Sequence, residues 1–311
     1  MKSKLKIKTF LAIVVISLII PSLISEVLAS DISNKFMGLS KNSKFELVGT
    51  VECNFPTHHT QGILKIGRNY YLSSVEILEK TRKYDHPDEF GYDRTPGRGI
   101  GHLFKLDARG HLIKDLVLTE GEMYHPGGID FDGTHIWISV AEYRPNSMST
   151  IFRVDPNLRK AEKVFTVRDH IGDLVYDRDS NLLYGASWGS RRIYCWTPEG
   201  YEIFRYSNPS HFVDYQDGKY VGDNLMLASG MNKFNFGSGD QEDVREFGGM
   251  VLIELSTGRI VNAIPVLIYC GDGCIVTHNP MGVEVTDGKL QFYFAPEDDE
   301  TTIYIYQVND T

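Results

Sequence analysis

Five histidines occupy one register of this chain: His59, His125, His170, His211 and His278 each lie just before an apolar, strand-like run. An imidazole is neutral over most of the physiological pH range, and it is a common protein ligand for zinc, copper, nickel and iron. Three or four of them converging with one position left open would make a catalytic centre built on zinc or a similar transition metal. The competing reading is structural: a duplicated unit inherits a histidine that hydrogen-bonds its neighbour's backbone. Matching the strands without gaps aligns His278 with His58 and Asn279 with His59. A subset of the five is therefore expected as ligands rather than all of them.

Carboxylates accompany the histidines. Glu76, Glu142 and Glu297 share a register at the ends of second strands, where turn formation demands no acid. Glu142 and Glu76 are the expected proton acceptors for a water whose pKa a bound metal has lowered. Asp173 and Asp214 replace the glycine found at the same register elsewhere, and would orient a ligating histidine or ligate directly. Trp188, Arg191 and Glu297 are the expected contacts to a small polar ligand, whereas Arg144 reads as a solvated loop charge. Asp132, Asp179, Asp217 and Asp287 read as turn formers. No G-x-S-x-G, P-loop or H-E-x-x-H occurs, so the common nucleophile, phosphate and zinc-protease signatures are absent.

The elements that must position these residues recur five times. The unit is clearest from His125 to Glu142, H-P-G-G-I-D-F-D-G-T-H-I-W-I-S-V-A-E. Two short β-rich runs flank a turn at Gly67-Arg68-Asn69, Asp132-Gly133, Asp179-Ser180-Asn181, Asp217-Gly218 and Asp287-Gly288. Asp-Gly between alternating apolar runs is a strong hairpin signal because both turn residues must tolerate positive φ. A third run follows each hairpin and a fourth follows in the first four units. The fifth unit lacks its fourth strand, and Phe45 to Val51 is left over at the other end.

Units beginning near Ile63, Ile129, Leu174, Tyr215 and Val283 have the period of propeller blades. The spacing predicts an all-β, five-bladed β-propeller of four-stranded antiparallel blades, closed by the N-terminal strand, which leaves no long sheet edge exposed. Because second strands run antiparallel to first strands, the histidines and the glutamates share one face of the disc. Two insertions, about 77–99 and 230–247, emerge on that face.

Residues 1–29 read as a targeting segment: Lys2, Lys4, Lys6 and Lys8, an apolar run from Phe10 to Leu23, and a small-residue cleavage site ending at Ala29. Residues 30–44 read as a mobile arm, and 45–311 as one domain. The expectation is an exported protein, periplasmic or extracellular, with no membrane span after cleavage. Losing four lysines and one glutamate with the segment moves the formal charge from -9 to -12. Such a surface argues against nucleic acid and leaves a small molecule as the expected partner. Of the four cysteines, Cys270 and Cys274 bracket a short Gly-Asp-Gly loop and can pair, or Cys53 can reach Cys274; Cys195 reads as a buried free thiol.

Taken together, H-H-T-Q-G-I, H-P-G-G-I-D and H-I-G-D-L-V-Y-D are similar to an exported bacterial and fungal propeller family without an assigned activity, over nearly the whole mature chain. More distantly the chain resembles glutamine cyclotransferases, through Thr60-Gln61-Gly62, and the strictosidine synthase or gluconolactonase-like propellers. The calcium lactonase-like members of that group use acidic and amide ligands at the axis, where this chain offers mainly histidines. The leading expectation is metal-assisted, hydrolase-like chemistry at the mouth of the central channel. The alternatives are a non-catalytic binding propeller with structural histidines, and a glutamine cyclotransferase-like acyl transfer.

Overall fold

A computed structural model describes residues 31–210, 212–238, 243–271 and 273–309. The expected targeting segment and His211 lie outside the described residues. Strand β1 (Lys44–Glu52) opens the ring. Blade one holds β2 (His59–Ile66), β3 (Asn69–Glu79), β4 (Arg98–Leu106) and β5 (Leu112–Val117). Blade two holds β6 (Met123–Phe131), β7 (Ile136–Glu142), β8 (Ser149–Val154) and β9 (Ala161–Val167). Blade three holds β10 (Ile171–Asp177), β11 (Leu182–Ser187), β12 (Arg192–Trp196) and β13 (Glu202–Ser207). Blade four holds β14 (Asp214–Tyr220), β15 (Leu225–Asn235), β16 (Val244–Glu254) and β17 (Ile260–Val266). Blade five holds β18 (Met281–Thr286), β19 (Lys289–Phe294) and β20 (Thr302–Asn309).

The five sheets are antiparallel and four-stranded, and β1 completes the last one by pairing with β20. The ring is thus a five-bladed β-propeller closed by its N-terminal strand. Burial follows position within a blade. Every residue of β7 is buried, whereas β5 is almost wholly exposed, as expected of a second and an outermost strand. The blades are glued by apolar clusters between them, such as Leu64, Tyr71 and Leu103 of blade one against Ile129, Ile136 and Ile138 of blade two. Each such fully buried side chain contributes roughly 1.5–3 kcal/mol by leaving water.

Two local expectations are corrected and a third is borne out in more detail. Residues 31–37 form a helical turn rather than a mobile arm. Phe36 and Leu39 are buried in the cluster between blades four and five, and Asn262 donates its side-chain amide to both of their carbonyls. The apolar pair outweighs the polar composition that suggested mobility. The fourth-blade insertion does fall between the second and third strands, where it extends the β15–β16 hairpin with pairing as far as Asn235 and Val244.

The second correction concerns Asp217-Gly218, which is not a turn. Asp217 is fully buried in the middle of β14, and the hairpin turns instead at Gly222, Asp223 and Asn224, all at positive φ. Gly218 is needed because a Cβ there would sit 2.7 Å from the Asp173 carboxylate. By contrast Asp287-Gly288 and Gly133 turn with positive φ as expected, and Asp132 caps its own turn by accepting the Thr134 and His135 amides. Cys270 and Cys274 form a disulfide with Cα atoms 5.6 Å apart, and Cys53 and Cys195 are buried free thiols.

Candidate functional site

The innermost strands β2, β6 and β10 begin at the face where β3, β7 and β11 end, with His59 opposite Val75, Met123 opposite Glu142 and Ile171 opposite Ser187. This pairing brings His59, His125 and His170 round the channel mouth in blade order. Ring centroids are 6.3 Å apart between His59 and His125, and 5.8 Å between His125 and His170. His59 Nδ1 lies 2.7 Å from an Asp298 carboxylate oxygen, and His170 Nδ1 donates to the Glu142 carbonyl at 2.7 Å. His170 therefore holds its proton on Nδ1 and keeps the Nε2 lone pair, while His59 donates from Nδ1 to the carboxylate. His125 is 5 % exposed, and neither of its ring nitrogens has a hydrogen-bond partner.

Burial sets the charge state of His125 and His170. Desolvation pulls His170 down to about 4. It holds His125 well below the usual histidine range, helped by the neighbouring His170 and His59. Both are neutral at physiological pH. Against the desolvation that would raise it, the hydrogen bond and charge of His59 keep Asp298 below the ordinary carboxylate range.

Aromatic side chains wall the same space. Tyr143, just beyond β7, stacks on His125 at 4.3 Å; Trp188 meets His170 edge-on at 4.7 Å and lies 5.6 Å from Tyr143. Trp188 reaches this place because a short 3-10 turn, Trp188–Ser190, follows β11. The first-blade insertion crosses above. Arg94 lies over the Trp188 ring at 5.0 Å, Tyr92 faces the Arg144 guanidinium at 3.6 Å, and the Tyr124 hydroxyl donates to Pro96 at 2.7 Å.

Below the histidines the channel is filled by charge. Asp217 accepts backbone N–H groups from Ile63, Met281 and Ile129, at 3.0, 3.1 and 3.3 Å, so one carboxylate ties three other blades to blade four. Lys219 pairs with it. Asp130 accepts the amides of Tyr176 and Tyr220 in the same manner. Asp173 is 1 % exposed with one carboxylate oxygen unpartnered; burial and then the Asp217 charge push it up to about 7. Gly127 and Gly128 permit this convergence, since a Cβ on Gly128 would come 2.2 Å from Asp173 Oδ1.

The remaining sequence-predicted residues divide. Glu142 does face the mouth, but its carboxylate is held by Arg144 at 2.6 Å in a pair of which each member is 7 % exposed. A carboxylate so neutralised is not the free proton acceptor expected, and Arg144 is not a solvated charge. Glu297 accepts from Tyr304, Thr301 and Thr302 and so braces its own loop. Arg191 bonds the Gly189 and Ser210 carbonyls and lies 3.5 Å from Asp214, which fixes the chain beyond Trp188. His278 Nδ1 lies 3.1 Å from the Glu246 carboxylate. Asp173 is buried beneath the histidines, as an orienting group would be, but the charges that act on it most are those of Asp217 and Lys219.

Metal-ligating potential concentrates elsewhere on this face. Among the described residues, the three side chains whose ligand atoms all lie within 4.8 Å of one another are His58, Glu76 and His102, of blade one. Sequence reasoning singled out Glu76 and passed over His102, as it passed over Tyr143, Arg94 and Asp298. No spacing rule flags these four, because their partners are remote in the chain.

Residues 15–310 match the model of a family described as "Family of unknown function (DUF6454)". No curated protein matches the chain. Among solved structures, the chain is similar to the WD40 β-propeller domain of Doa1, with 9 % identity over 84 % of this chain and 96 % of that one and a TM-score of 0.44. It is also similar to a member of the DUF4221 family from Bacteroides vulgatus, with 8 % identity over 88 % of this chain and 100 % of that one and a TM-score of 0.39.

Proposed function

Since this chain belongs to DUF6454, a family of unknown function, its activity has to be read from its own site, and we propose that the channel mouth binds a small polar molecule for hydrolase-like chemistry. The observation that carries this reading is His125. A buried imidazole with two unpartnered nitrogens costs about 1–3 kcal/mol per unsatisfied group, and a scaffold that needed only packing would have an apolar side chain there. A ligand that donates to or accepts from that ring recovers the cost.

The neighbours supply the rest of a reaction site. His170 Nε2 carries a lone pair whose tautomer is fixed by the Glu142 carbonyl, so it accepts a proton from a water or hydroxyl aimed at the ligand. Its depressed basicity keeps it in the accepting form at neutral pH and lets it return the proton readily. Tyr143 and Trp188 offer ring faces, and the Arg94 guanidinium that covers Trp188 is itself held by the adjacent Asp93 carboxylate at 2.9 Å, so it contributes to the wall and adds no net positive charge. The Thr60-Gln61-Gly62 segment, on which an acyl-transfer reading rests, serves the scaffold: Thr60 donates to the Ala295 carbonyl and Gln61 to the Thr60 carbonyl.

The test is a thermal-shift and calorimetry screen of small esters, lactones, amides and sugars against the protein and its His125→Ala, His170→Ala and Trp188→Ala variants. The expected result is one ligand class bound by the parent, weakened at least tenfold in His125→Ala and Trp188→Ala, and turned over only where His170 is present. If no class binds, and the histidine variants change stability alone, the histidines are braces and the reading fails. A second reading, a protein-docking propeller, is favoured by the projecting β15–β16 hairpin. There Phe234 and Phe236 are 46 % and 59 % exposed and cluster with Phe247.

A further inference from the structure

We propose that blade one carries a transition-metal site made by His58, Glu76 and His102, separate from the histidines of the channel mouth. The three ligand atoms lie within 4.8 Å of one another. Pairing explains how strands remote in sequence deliver them. Glu76 is opposite Ile100 and Ser74 is opposite His102, so Glu76 and His102 project from the same side of neighbouring strands on a diagonal. His58 precedes β2, whose His59 is opposite Val75, and so stands beside Glu76.

His102 is held as a metal-ligating imidazole is held. It is 7 % exposed, and its Nε2 is buried without a hydrogen-bond partner. Its Nδ1 lies 3.0 and 3.1 Å from the two Asp115 carboxylate oxygens, which takes up the ring proton and leaves the Nε2 lone pair facing Glu76. That is the carboxylate–histidine arrangement by which metal-ligating imidazoles are oriented. Glu76 Oε2 is 3.9 Å from Nε2. The gap is too long for a hydrogen bond, and closing it to roughly 3.0–3.4 Å suits two neighbouring ligands on an ion with bonds of ~2.0–2.2 Å.

His58 adds a backbone observation. It sits at φ 54, in the left-handed region that non-glycine residues seldom occupy, and its carbonyl accepts the Asp299 amide at 2.8 Å. The ring stacks on His102 at 5.4 Å. A strained conformation that aims an imidazole at an unpartnered buried nitrogen is what a site held for a ligand would need. Two imidazoles and one carboxylate suit Zn²⁺ or Fe²⁺ rather than Ca²⁺ or Mg²⁺, and leave positions for water or substrate. Glu76, with its side chain 36 % exposed, gives that position access to solvent. The mouth and this site share no side chain, although His58 and His59 are adjacent in sequence.

The experiment uses untagged mature protein stripped with a chelator and titrated with Zn²⁺ by calorimetry and with Co²⁺ by visible spectroscopy. The expected result is one equivalent bound, weakened at least tenfold in His102→Ala and Glu76→Gln and about tenfold or more in Asp115→Asn, and unchanged in His125→Ala. Glu76→Gln is isosteric and partly exposed, so it decides the matter if His102→Ala does not fold. Absence of stoichiometric binding to the folded parent overturns the proposal. So does binding that His125→Ala abolishes and Glu76→Gln leaves intact, a result that would place the ion in the mouth and leave the small-molecule reading standing.

Discussion

His170 Nδ1 lies 2.7 Å from the backbone carbonyl oxygen of Glu142, so the residue expected to act through its carboxylate acts through its main chain instead. The Glu142 side chain is committed to Arg144. Replacing Glu142 by Gln should leave the tautomer of His170 unchanged in long-range nitrogen–proton NMR spectra. Stability should fall by less than the ~3–5 kcal/mol of orphaning a buried charge, because the guanidinium keeps the Glu122 carboxylate at 3.0 Å. A shift of the His170 proton to Nε2 would contradict the main-chain assignment.

Acid should destabilise the protein through the mouth histidines. In the unfolded chain a histidine takes up its proton near pH 6.5, whereas folded His170 resists until about 4 and His125 is likewise held well below its ordinary range. Between those limits the unfolded state binds more protons, so stability falls as pH drops from about 6.5 towards 4, by up to ~3 kcal/mol for His170. Denaturation of the parent and of His170→Ala across this window should show the slope reduced in the variant.

The buried acid at the axis works in the opposite sense. Asp173 is raised to about 7 by desolvation and by the Asp217 charge, so its contribution is intact at low pH and is lost as pH rises through 7. An Asp173→Asn variant should match the parent near pH 4, the unfolded-state limit, and exceed it by roughly 2–4 kcal/mol at pH 8. Urea midpoints at the two pH values check this, and equal midpoints at pH 8 would refute it.

Asp217 is the single residue whose loss should do most harm to the ring. Asparagine at this position cannot keep three backbone N–H bonds from other blades while also pairing buried Lys219. The expected cost is about 3–5 kcal/mol, read as a lower denaturation midpoint.

Glycine positions provide an internal control on the packing of the axis. Gly128→Ala should cost about 3 kcal/mol or abolish folding, because its Cβ would fall 2.2 Å from Asp173 Oδ1. Gly282→Ala, on the first strand of blade five, meets nothing closer than 3.4 Å and should change stability by less than about 1 kcal/mol. Similar losses in both variants would mean that the axis is not packed tightly against Gly128.

The sequence by itself determined the blade count, the strand order within each blade, closure by the N-terminal strand and the face on which the histidines stand. These follow from alternation with period two and from turn chemistry, and both depend on residues a few positions apart. The same local rules misread Asp217-Gly218, where the Asp-Gly pair answers to the channel and not to a hairpin, and they misread Arg144, whose burial depends on Glu142 folding back against it. Only the tertiary structure decided that Asp298 holds His59 across 239 residues, that Arg94 from the first blade covers Trp188 of the third, and that His102 rather than a mouth histidine faces Glu76. Ring closure sets those distances, and a contact made by closing a ring leaves no trace in the spacing of the residues that meet there.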